Sequence, residues 1–259
     1  MLTSVPAAIR DLGPDKHDTE FGSLDQLPHS IRAIVTLGAY NDLAGRVEPW
    51  AQRHDASYFV VQHGLLTPWA PPLNDGAHLL AWSEEDGDYW TAGRTGVSWR
   101  TVGSQMLWDA SRQPSAPVLD EHPVLLGQLH GTELPRSQKQ RLYIDFTRRT
   151  GAEYRPHPNE ADVLSRLQHR VMRAAGVHFV SARGPITEMG RPVVSIFSTG
   201  TLEAAHHGLP AWVHHPSPPA WLSSFWNRYG LSPYGSAPTS PISLPSTEPA
   251  RTIARLVQS

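Results

Sequence analysis

Short apolar runs separated by polar, turn-prone stretches recur along the chain, and their lengths predict buried strands alternating with helices. Residues 33–37 (Ala-Ile-Val-Thr-Leu) form a β-rich run ending at Gly38, and residues 41–54 read as a helix. Residues 57–62 are a second strand, closed by His63-Gly64. A third strand spans 78–82, followed by a helix over 84–92 and a short strand over 97–102. Pro and Ser crowd residues 110–122, which read as a linker. Beyond it the alternation resumes. Strands are predicted at 123–128, 153–155, 193–197 and 211–214, helices at 137–150, 161–175 and 201–207, with a short apolar stretch at 177–180. A Pro-, Trp- and Ser-rich tail then runs to 247, in which Trp221, Phe225, Trp226 and Tyr229 are expected to pack against the preceding lobe. A last helix over 248–257 starts at Ser246/Thr247, with Pro249 in its first turn.

Such alternation implies parallel sheets with right-handed crossovers. The predicted class is therefore α/β, as two Rossmann-like lobes facing a cleft. The boundaries read as an irregular arm over 1–28, a first lobe over 29–112, a linker over 113–122, and a second lobe with the tail and last helix over 123–259.

Composition narrows the function. A net charge of -2 with 18% charged residues offers no basic face to a nucleic acid. The absence of cysteine excludes disulfides, thiolate zinc sites and a cysteine nucleophile. Residues 1–14 lack a basic segment followed by an apolar one, and no apolar run reaches the ~20 residues that span a bilayer, so a cytoplasmic protein is expected.

Two segments carry candidate chemistry. In Phe197-Ser198-Thr199-Gly200-Thr201-Leu202-Glu203 a strand ends, a small-residue loop follows, and a helix begins. Unpaired amides at a helix start attract phosphate, with hydroxyls from Ser198, Thr199 and Thr201 beside them and Gly200 permitting close approach. Glu203, one turn in, is placed to accept both hydroxyls of a ribose. Simple capping by Thr199 or Thr201 is the plain alternative. In Tyr154-Arg155-Pro156-His157-Pro158-Asn159-Glu160, two prolines hold His157 rigidly, where it can donate to a phosphate, and Arg155 can add a bidentate contact. A surface turn is the alternative here. His63, at a strand end before Gly64, lies where open α/β sheets place ligand groups, unless it is a capped core histidine. Gln62 and Glu160 read as acceptor-side or supporting positions. Asp86 and Asp88 read as an exposed helix start, and the pairs His206-His207 and His214-His215 diverge too much to share an ion.

His157-Pro158 followed about forty residues later by Ser198-Thr199 resembles the His-Pro and Ser-Ser/Thr motifs of bacterial sialyl- and polysialyltransferases, capsule polymerases and CDP-glycerol glycerophosphotransferases. Glu203 through Gly208 to Pro210 is similar to the Glu-x-x-x-x-Gly-x-Pro segment of two-lobed (GT-B) glycosyltransferases, where the glutamate holds the ribose. His63-Gly64 matches the position of the proposed base of the CDP-glycerol enzymes, with Gln62 replacing their Trp, and Gly103-Ser104 resembles the element closing their first lobe. The resemblance implies a GT-B-like fold with a reduced first lobe. It also implies transfer of a sugar, or a polyol phosphate, from a CMP-, CDP- or UDP-linked donor to a glycan or lipid-linked hydroxyl acceptor, in surface polysaccharide or glycoconjugate synthesis. Protein cations and dipoles would neutralise the leaving group, so no metal or other cofactor is expected. Peripheral membrane association and homo-oligomer formation stay open. So do a nucleotide-sugar 2-epimerase or hydrolase and a non-catalytic nucleotide- or glycan-binding protein.

Overall fold

The structure, a computed structural model, describes residues 24–28, 30–39, 44–114, 117–181 and 184–258. Most of the arm expected over 1–28, and the opening of the helix expected from 41, lie outside these residues. Among the described residues, those up to Leu66, Ala70–Trp108 and those from Leu244 onward form one compact unit; Thr67–Trp69 and Asp109–Ser243 form a second.

The first unit is built on four parallel strands, β1 Ala33–Thr36, β2 Ser57–Val61, β3 Ala77–Ala81 and β4 Ser98–Thr101, in the spatial order of the sequence. When each strand lies beside its predecessor and every crossover has the same hand, the connecting helices fall on one face. Helix α1 (Ala44–Arg53) and helix α2 (Glu84–Thr91) do so: Val47, Trp50, Ala51 and Trp90 cluster with Tyr58, Val60, Ala77, Leu79 and Ala81. Alternate strand residues point the other way. Phe59, Val61 and Leu80 meet Val102 and the last helix of the chain, through Ile253, Leu256 and Val257.

The last helix therefore belongs with the first unit, not with the second lobe to which the sequence reading attached it. A local contact holds its start: the Gln105 side chain accepts from the Ala250 N–H at 2.8 Å and donates to Glu248 at 3.3 Å. Gln105 opens helix α3 (Gln105–Arg112), which replaces the beginning of the expected linker. Pro114 and the serines drew attention from Leu107 and Ala110, which are buried, and from Ser104, whose hydroxyl accepts the Leu107 N–H.

The second unit has strands β5 Val124–Leu126, β6 Glu153–Arg155, β7 Val193–Ser195 and β8 Ala211–Val213, all parallel, in the order β6-β5-β7-β8. Its helices are α4 Arg136–Thr150, α5 Val163–Ala174, α6 Gly200–His206 and α7 Ala220–Arg228; the last helix, Pro249–Gln258, is α8. Both lobes are thus α/β with parallel sheets, as the alternation predicted. Helix α7 replaces part of the expected irregular tail. Pro216, Pro218 and Pro219 precede its first turn rather than interrupt it, and Leu222, Phe225 and Trp226 are buried at helical spacing. The aromatic packing expected there is present, with Trp226 Nε1 donating to the Ile196 carbonyl at 2.8 Å.

Candidate functional site

In the second sheet the chain passes from β5 to β6 on one side and returns to β7 on the other. The strand order reverses there, and open α/β sheets bind ligands at the carboxyl ends of the strands flanking such a reversal. Three loops emerge at that edge: 127–131 after β5, 156–160 after β6 and 196–199 after β7.

Beneath them lies a buried polar network. Glu160 Oε1 accepts the Leu129 N–H at 2.9 Å, and Oε2 accepts from the Tyr154 hydroxyl and from His169 Nε2, each at 2.8 Å. Lys139, fully buried, donates to the carbonyls of Gln128 (2.7 Å) and Gly131 (2.5 Å), and burial lowers its pKa to about 8. Gln128 ties the first and third loops together, its Oε1 accepting the Phe197 N–H at 3.1 Å. Gly127 has no alternative here, because a Cβ would collide with the Tyr154 hydroxyl and lie 2.7 Å from Glu160 Oε1. Glu160 is thus a support of the loops rather than a ligand group.

Above this network His130 and His157 stack, ring centroids 4.1 Å apart and planes 26° from parallel. The Asn159 N–H donates to His157 Nδ1 at 3.1 Å, so the neutral ring carries its proton on Nε2 and presents a donor there. Burial lowers the pKa of both rings, that of His130 to about 4, with the neighbouring His157 as the next cause. His130 Nδ1 is buried without a hydrogen-bond partner among the described residues. His130 was missed in the sequence reading. Its signal was available, a Gly-Gln-Leu-His-Gly loop directly after a strand, the same pattern that singled out His63-Gly64.

The depressed histidines set an acid limit on stability. A ring kept neutral in the fold but protonated near pH 6.5 when unfolded costs stability as pH falls from 6.5 toward 4. His214 adds to this, lowered to about 4 by burial and by Arg149 and His215. Partial exposure screens the full effect, leaving on the order of 1 kcal/mol for each of His130 and His214 between pH 7 and 5. Thermal unfolding across that range should show a falling midpoint that His130→Asn flattens; equal slopes for both proteins would exclude His130 as a cause.

Arg155 leans on the segment after Phe179, donating to the Gly184 carbonyl and contacting the Met189 sulfur. Burial lowers its pKa and Glu203 draws it back up; burial raises the Glu203 carboxyl while Arg155 and His207 oppose that. The charges of Arg155 and Glu203 thus act on one another.

The Ser198–Thr201 stretch is more internally committed than its sequence suggested. Ser198 Oγ accepts the Gly200 N–H at 3.2 Å, and the Thr201 N–H donates to the Ser198 carbonyl at 3.1 Å. The Thr201 hydroxyl is fully buried against Ser195 Oγ at 2.7 Å. At Gly200 a Cβ would lie 2.6 Å from Ile186 Cδ1 and 2.7 Å from Leu126 Cδ1, so its bareness admits the packing of α6 on β5. Ser198 and Thr199 remain half-buried at the edge.

In the first unit, Gln62 is buried and wholly engaged. Its Nε2 donates to Asp86 Oδ2 (2.7 Å) and the Gly64 carbonyl (3.0 Å), its Oε1 accepts the Trp82 N–H (2.9 Å), and its carbonyl accepts from Trp82 Nε1 (2.7 Å). Asp86, expected at an exposed helix start, is instead buried as the partner of Gln62; Asp88 is exposed. Gln62 therefore holds the end of β2, and His63 follows at the surface. Its ring is partly covered, which lowers its pKa, while a hydrogen bond with the Leu37 backbone acts the other way.

A cavity of about 510 Å³ in the second unit lies elsewhere, along α4 between Leu142, Asp145, Arg148, Arg149, His214 and Pro216. It shares no residue with the three loops. Among the described residues no helix is long and apolar enough to cross a membrane.

No family model matches the chain, and no curated protein matches its sequence. Among solved structures, that of the pneumococcal O-GlcNAc transferase GtfA in complex with UDP and GlcNAc is similar, at 13% identity and a TM-score of 0.44, over 83% of this chain and 47% of that one. The chain spans about half the length of that structure. The likeness is too distant to transfer a residue or an activity.

Proposed function

We propose that the protein transfers a sugar, or a polyol phosphate, from a nucleotide-activated donor to a hydroxyl acceptor, with the donor nucleotide held by the second unit. The observation that carries this reading is the convergence, at the strand-order reversal of one parallel sheet, of the Arg155/Glu203 pair and the neutral His130/His157 stack. Arg155 and the His157 Nε2–H meet the departing phosphate, Ser198 and Thr199 line its edge, and Glu203 accepts the ribose hydroxyls. His63 removes the acceptor proton. In sugar transfer a C–O bond forms as the sugar–phosphate bond breaks; in polyol phosphate transfer a P–O bond forms as the P–O bond to the nucleotide breaks. In each case the electron pair leaves on the nucleotide. Because protein donors meet that charge, turnover is expected to persist in a chelator. CMP-, CDP- and UDP-linked donors, and glycan or lipid-linked acceptors of surface polysaccharide synthesis, are the substrates of this reading.

A thermal-shift screen with CMP, CDP and UDP tests the nucleotide half. A ligand at a hundredfold excess over its Kd stabilises the native state by about 2.7 kcal/mol, a rise of roughly 5 °C or more for a chain this size. No shift with any nucleotide would remove the proposal. A shift without transfer to any acceptor would instead indicate a binding protein.

A further inference from the structure

Helix α5 is inside out. Its buried side is polar: Ser165, Gln168 and His169 face the domain with Met172, and all three polar groups are bonded there. Ser165 meets Asp162 and Arg136, Gln168 donates to Gln140 at 2.9 Å, and His169 donates to Glu160. Its apolar residues point outward. Val163 is 74% exposed, Leu164 49%, Leu167 52% and Val171 46%. At helical periodicity these four fall within a sector of about 100°, and Arg166, Arg170 and Arg173 fill the adjoining sector of about 60°. Arg148 joins at the C-terminal end, donating to the Ala175 carbonyl at 3.0 Å, while Arg173 lies over the Phe179 ring at 4.1 Å. The helix itself carries no acidic residue. Asp162, its N-cap, is engaged by the Ser165 hydroxyl and amide and by Arg136, and these keep its carboxyl ionised well below the usual range.

We propose that this face of α5 docks on an anionic lipid surface. Helices that lie in a bilayer interface pair an aliphatic sector with a flanking row of Arg or Lys, the first entering the acyl boundary and the second meeting anionic headgroups. The twelve residues of α5 extend about 18 Å, enough to lay four aliphatic side chains and three guanidinium groups on one plane. Charge argues against a second copy as the occupant, since pairing two such faces sets arginine against arginine. It argues equally against a basic partner. The inference stands apart from the nucleotide reading and would survive its failure.

Vesicle sedimentation with the full chain tests it. Vesicles of phosphatidylcholine with about 30 mol% phosphatidylglycerol should bind the protein at least tenfold more tightly than phosphatidylcholine alone, and about 0.5 M salt should abolish the difference. Leu164→Ser with Leu167→Ser, and separately Arg170→Gln with Arg173→Gln, should each weaken binding about tenfold. Circular dichroism confirms that each variant folds; if the leucine pair does not, the arginine pair and the salt dependence still decide. Equal binding to both vesicle types, or variants that bind like the parent, would overturn the proposal. So would a concentration-dependent dimer lost on Leu167→Ser without vesicle binding, which would give the face to a second copy.

Discussion

Glu160→Ala is expected to lower the unfolding free energy by about 3–5 kcal/mol, the largest loss of any single substitution around the candidate site. The carboxylate is inaccessible to solvent and serves three donors, the Leu129 amide, the Tyr154 hydroxyl and the His169 ring. Alanine leaves all three buried without an acceptor, and each orphaned group costs about 1–3 kcal/mol. Nearby adjustment recovers part of the sum. Glu160→Gln, which keeps the shape and one oxygen, should lose about half as much, because its amide nitrogen faces a donor where an acceptor is needed. Urea unfolding of the three proteins measures this directly. A loss below about 1 kcal/mol for the alanine variant would show that the network is not closed as described. The same change frees the Leu129 amide next to His130, so nucleotide-induced stabilisation should fall with it.

His157→Ala is expected to lower kcat by about 10²-fold or more, the typical cost of removing one donor aimed at developing charge. The ring's hydrogen bonds make the prediction specific. Since Nδ1 accepts the Asn159 N–H, the group offered outward is the Nε2–H. His157→Gln places an amide donor near Nε2 and should recover part of the rate; His157→Asn, which mimics Nδ1, should not. His63→Ala should lose a comparable factor and also the acidic limb of the pH profile. A base works deprotonated, and burial holds the His63 pKa below 6.5, so that limb is expected below pH 6.5 in the parent protein. Near-parental turnover in both alanine variants would end the assignment of these histidines.

Much of the candidate site was visible before the fold. Arg155, His157, Ser198 and Glu203 were singled out by residue type and by proximity to strand ends. In the structure Arg155 ends β6, His157 and Ser198 lie on the loops at that edge of the second sheet, and Glu203 lies in the helix that follows β7. What local pattern could not reveal is which polar side chains are consumed inside. Thr201 and Gly200 look like phosphate-loop residues, yet one pairs with Ser195 and the other makes room for Leu126 and Ile186. Gln62 read as an acceptor-side or supporting position and Asp86 as part of an exposed helix start, and they bury each other across 24 residues of chain.

By itself the sequence determined the two β–α alternations and the place of nearly every strand, because the inner strands of a parallel sheet, buried on both faces, need short apolar runs. Tertiary structure alone decided the strand order, with its reversal between β5 and β7, and the return of α8 to the first sheet. It alone turned the apolar side of α5 outward. Periodicity records that a helix has two unlike faces; which of them meets the domain depends on partners such as Glu160, Arg136 and Gln140, whose hydrogen bonds hold the polar side inward.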